Sequence, residues 1–129
     1  MKQSTLLTVS SLLSILFLTF HLTSDFLHDA GELSLQSVLI AALILVVLLW
    51  GTLVLAERRS GHVIMLLGSL VALAMPVMHL MRARGVAHAL ARPDASFFVW
   101  ILLGLGVTGL FSAVLAVRGL VNLQRGRPR

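Results

Sequence analysis

The chain has 129 residues, 58% hydrophobic and only 12% charged, with a formal charge of +5 and a mean hydropathy of +1.00. That composition lies outside the range of water-soluble globular domains. Cysteine is absent, which excludes structural disulfides, zinc–thiolate sites, iron–sulfur clusters and a thiol nucleophile.

Placing a Lys, Arg or Asp at the centre of a spanning helix costs about 2.5–3.5 kcal/mol on insertion scales, so charges withdraw to helix ends. The positions of Asp, Glu, Lys and Arg leave four uncharged stretches, Gln3–Ser24, Leu33–Ala56, Ser60–Met81 and Ala95–Val117. A hydrocarbon core about 30 Å thick needs roughly 20 helical residues, so each stretch crosses once. The expected fold is an all-α, integral membrane four-helix antiparallel bundle, a single domain with helices at about 5–27, 35–56, 62–81 and 97–117.

Lys2 followed by an apolar run has the look of a secretory leader. The run is longer than a leader core, however, and Phe20 to Asp25 contains no small-x-small cleavage pattern, so this stretch is expected to persist as the first helix. It carries Ser4, Thr8 and Ser11, a hydroxyl stripe expected to pack on the second helix. Its far end holds His21, Asp25 and His28 at i, i+4 and i+7, on one face.

The turn Asp29-Ala30-Gly31-Glu32 leads to Ser34, which is placed to cap the second helix. That helix is aliphatic all round, so its pattern does not say which face meets lipid. Glu57 to Gly61 makes a connection short enough to force the second and third helices into a hairpin.

In the third helix, Gly68 and Ala72 permit close approach of a partner backbone, and Pro76 is expected to kink the helix near Ala72. His79 lies near its outer end, at a depth similar to His21. His62, at the other end, and His88, in the following loop, have no evident partner and are expected to be solvated.

The fourth helix has the clearest packing pattern. Gly104, Thr108, Ser112 and Ala116 recur every four residues, and Gly109 with Ala113 widens this small face. It is suited to another helix of the same bundle or, in a sharper reading, to a second copy of the chain. Gly104-Leu-Gly106-Val-Thr-Gly109 fits the dinucleotide fingerprint by letter, but that motif works only between a strand and a helix N-terminus, and here it reads as packing. The tail from Asn122 to Arg129 is expected to lie without structure on the membrane surface.

Alternating the helices puts Lys2, Arg58, Arg59, Arg118, Arg125, Arg127 and Arg129 on one side and Arg82, Arg84 and Arg92 on the other. Positively charged short loops resist translocation, so both termini are expected in the cytoplasm. The basic residues sit where they orient the chain and touch anionic lipid, which gives no reason to expect nucleic acid as a partner.

The segments Phe20-His21-Leu22-Thr23-Ser24-Asp25 and Gly51 through Gly68 resemble those of small four-span bacterial inner-membrane proteins of unassigned function. The resemblance covers most of the chain. It implies the fold and an inner-membrane location and carries over no site residues. Small multidrug transporters are similar in size, but this chain has no acid deep in its first helix and has a clear charge bias, so that family is set aside.

No Ser-His-Asp set, HExxH motif, phosphate loop or pair of catalytic carboxylates is visible. The spans show no mid-membrane polar path beyond hydroxyls, which argues against a transporter. Two readings remain. One is a non-enzymatic accessory or structural component acting through helix packing, with itself or a larger membrane complex. The other is a metal- or haem-binding protein built on His21, Asp25, His28 and His79. Imidazole with the nearby thioethers Met75 and Met78 suits copper(I), and facing imidazoles in a bundle suit haem. Set against both ligands is an interfacial polar belt in which Asp25 simply bonds a histidine.

Overall fold

The computed structural model describes residues 3–28, 34–81, 91 and 95–125, with side chains in the first helix described through residue 27. Four long helices make up the fold: α1 (Gln3–His28), α2 (Leu35–Leu53), α3 (Arg59–Met81) and α4 (Ala95–Gln124). At 1.5 Å per residue even the shortest is about 28 Å long, enough for one crossing. All four are sufficiently apolar to span a membrane. The protein is an all-α, multi-pass membrane bundle, and large apolar side chains cover its outside. In water such a surface would aggregate; in lipid it is solvated.

Contacts at the two ends set the directions. The start of α1 meets the end of α4, where Asn122 Nδ2 donates to Gln3 Oε1 at 3.2 Å. The end of α1 meets the start of α4 through Phe20 and Phe97, with ring centroids 6.3 Å apart. Leu7 of α1 packs with Met65 of α3 near one end, and His21 meets His79 near the other, so these two helices run parallel. α2 and α4 run against them.

The helix ends differ from the charge-based expectation. α2 stops at Leu53, where the Trp50 carbonyl accepts from both the Val54 and Leu55 N–H groups and the backbone turns. α3 begins at Arg59, with the Arg58 carbonyl accepting the His62 N–H at 3.2 Å. α4 continues to Gln124, so Asn122 is helical rather than part of a loose tail. Charge marks where lipid ends, whereas a helix ends where its hydrogen bonds and contacts do. Ser34 caps α2 as expected, accepting from the Ser37 N–H at 3.1 Å.

The interior is layered along the axis. One apolar layer contains Leu7, Met65, Leu115 and Ala116, and a second contains Ile15, Leu18, Leu48, Ala72 and Leu105. Between them lie the buried hydroxyls of Ser10, Ser11, Ser14, Thr52, Ser69 and Ser112. Ser14 and Ser69 donate to the carbonyls four residues back, at 3.0 and 2.6 Å. This satisfies groups that lipid would penalise.

α1 packs chiefly on α4 rather than on α2, and Ser10 and Ser11 form the contact, within 2.7 and 3.5 Å of Ser112 Oγ. The expected stripe of Ser4, Thr8 and Ser11 is therefore offset, because the position of α4 selects the face. α2 is the peripheral helix. Its buried residues are Leu48, Gly51 and Thr52, all in its second half.

Candidate metal centre

α1 carries His21 and Asp25 one turn apart on the face turned toward α3 and α4. His21 is only 1% exposed, and its Nε2 lies 3.4 Å from Asp25 Oδ2. The Asp25 side chain is 34% exposed, so the pair reaches from the interior to the bundle surface.

α3 supplies His79 from its last turn. His79 Nδ1 lies 2.9 Å from the Met75 carbonyl. A carbonyl only accepts, so Nδ1 carries the hydrogen and Nε2 is the nitrogen able to bind a ligand. Backbone anchoring of this kind is how metal-binding histidines are commonly oriented.

The two imidazoles meet edge to face, with centroids 5.2 Å apart. Phe98 of α4, itself buried, lies 5.7 Å from the His21 ring and 5.3 Å from the His79 ring. Three helices thus close one polar cluster. The available signal for Phe98 is weak: the Phe97-Phe98 pair opens the last span at the depth of the histidines, but nothing in the sequence says that the second ring faces inward.

One ring nitrogen of each histidine and a carboxylate oxygen of Asp25 lie within 4.8 Å of one another. Two imidazoles and a carboxylate form a donor set for Zn²⁺ and related divalent first-row ions. Tetrahedral bonds of about 2.0 Å put neighbouring ligand atoms ~3.3 Å apart, so the set has to draw in by up to ~1.5 Å. The His21–Asp25 separation is already at that scale.

His28 belongs to α1, but its side chain lies outside the described residues, as does His88. Met75 packs against the apolar layer around Leu105, whereas Met78 and Met81 are exposed. Haem would need a different arrangement of the two rings. A porphyrin lies between its two imidazoles, and here the rings touch each other edge to face with Phe98 against both.

His62 departs from expectation. It is 5% exposed, with Nδ1 3.0 Å from the Arg58 carbonyl and its ring against Gly119, where a Cβ would collide with it.

The small face of α4 is used within the bundle. A Cβ on Gly104 would come within 2.6 Å of the Phe17 ring, and Thr108 donates to the Gly104 carbonyl at 2.7 Å. Ser112 and Ala116 are fully buried, and Ala72 packs against Gly109. Gly68 faces Leu48 of α2. The three glycines of the dinucleotide-like run are helical.

Comparison with known proteins found no matching family model, no similar curated protein and no similar solved structure.

Proposed function

We propose that the protein is a small, non-enzymatic inner-membrane component that binds one divalent transition-metal ion through His21, Asp25 and His79, fastening α1 to α3. The observation that carries this reading is the convergence of the three ligand atoms, two from α1 and one from α3, around a histidine removed from solvent and lipid. Polar and ionisable side chains within membrane spans are costly and tend to mark function. With both termini cytoplasmic, the site opens to the outer leaflet through Asp25.

Isothermal titration of the purified, metal-stripped protein with Zn²⁺ tests it. One equivalent bound by the wild type and lost in His79→Ala is the expected result. No saturable binding by the wild type overturns the proposal.

A second reading is an accessory protein that packs against a larger membrane complex, with the cluster serving only as a polar clamp. What favours it is α2, in which no residue from Leu35 to Val47 is buried within the bundle. The same titration separates the two, since a clamp requires no metal.

A further inference from the structure

At the end opposite the histidine–aspartate cluster, the first turns of α1 and α3 and the last turns of α4 enclose a pocket lined by Gln3, Ser4, Leu7, His62, Gly119 and Asn122. We infer that this pocket binds a phosphate group, supplied by the headgroup of an anionic phospholipid in the leaflet that contains the termini.

The lining offers mainly donors. Gln3 Nε2 donates to the Leu115 carbonyl at 3.4 Å and Asn122 Nδ2 to Gln3 Oε1 at 3.2 Å. Each amide nitrogen has two hydrogens, so each keeps one. The Ser4 hydroxyl lines the same pocket. His62 is the buried member, and its Nδ1–H is committed to the Arg58 carbonyl. Its Nε2 has no hydrogen-bond partner among the described residues.

The surrounding field favours an anion. Arg58 and Arg59 at the start of α3 and Arg118 and Arg125 at the end of α4 are all exposed at this end. Among the described residues, Glu57 is the only carboxylate there. The pocket also lies by the N-terminal turns of two helices, whose first N–H groups lack helical acceptors.

Position at the helix ends favours the lipid source. Gln3 and Ser4 open α1, His62 lies in the first turn of α3, and the arginines exposed beside them draw anionic lipid. Gly119 gives His62 its place, because a side chain there would push the imidazole out of the wall.

The test is native mass spectrometry of the full chain in detergent, titrated separately with phosphatidylglycerol, phosphatidylcholine and inorganic phosphate. The expected result is preferential retention of phosphatidylglycerol. Ser4→Ala with Asn122→Leu, which leaves the net charge unchanged, reduces that retention by about tenfold, the scale of lost charge-assisted hydrogen bonds. Ser4→Ala alone, at a half-buried position, gives a smaller loss in the same direction should the double variant not fold. Competition by inorganic phosphate also supports a phosphate site, and phosphate binding without lipid preference assigns the soluble source. Equal retention of both lipids with no phosphate binding overturns the inference. So does a preference that survives the pocket variants but vanishes in Arg118→Gln with Arg125→Gln, since that is diffuse surface charge. The two ends share no residue, so this result stands independently of zinc binding.

Discussion

His21 Nε2 and Asp25 Oδ2 face each other across 3.4 Å, the imidazole sealed in the bundle and the carboxylate one-third open. This asymmetry makes Asp25 the point of entry to the cluster. Asp25→Asn keeps the shape and removes the charge, and we expect Zn²⁺ affinity to fall at least about tenfold, as even outer-shell changes do at metal sites. Affinity should also fall as pH is lowered from neutral, because protons and metal compete for the same imidazole nitrogens. Calorimetry at several pH values checks both. Unchanged affinity in the variant would remove Asp25 from the ligand set.

A metal that ties α1 to α3 binds the folded bundle in preference to the unfolded chain. At a free concentration 100 times the dissociation constant it should stabilise the protein by about 2.7 kcal/mol. Thermal unfolding in detergent, with Zn²⁺ and then with a chelator in excess, should show a rise that the chelator reverses. His79→Ala should show no rise.

Packing of α4 gives an expectation independent of any ligand. Gly104→Leu drives a side chain into Phe17, and Ser112→Leu, at a fully buried position, pushes against Ser10. Each should cost about 1–3 kcal/mol, the range for overpacked interiors. Val107→Leu, on the exposed face, should change stability by no more than about 0.5 kcal/mol. Equal stability of all three variants would contradict the α1–α4 interface.

The seven-to-three basic asymmetry carries the expectation that both termini are cytoplasmic. A C-terminal fusion to a reporter active only outside the cytoplasm should be silent. Strong activity would invert the orientation of both polar ends.

The four spans were legible because the cost of a charge in hydrocarbon is large and local, so gaps between charges trace the membrane. The relation of His21 to His79 was legible in the same way, from depth alone. Hidden were the features set by tertiary contact. α4 passes Arg118 because Gly119 and Asn122 find partners in His62 and Gln3. His62 reads as solvated because its burial depends on a glycine 57 positions away. Phe98 closes the histidine cluster, but a phenylalanine at the edge of a span is ordinary on either face. Which serines of α1 turn inward was likewise decided by α4, not by the spacing of hydroxyls.

The most direct test of the metal assignment is X-ray absorption at the zinc edge on wild-type protein loaded with one equivalent. We expect two imidazoles and one carboxylate oxygen at about 2.0–2.2 Å, with a non-protein oxygen completing four-coordination. His79→Ala should lose one imidazole from the spectrum. A wild-type spectrum without imidazole scattering, or one that His79→Ala leaves unchanged, would contradict the assignment of His21, Asp25 and His79 as a metal site.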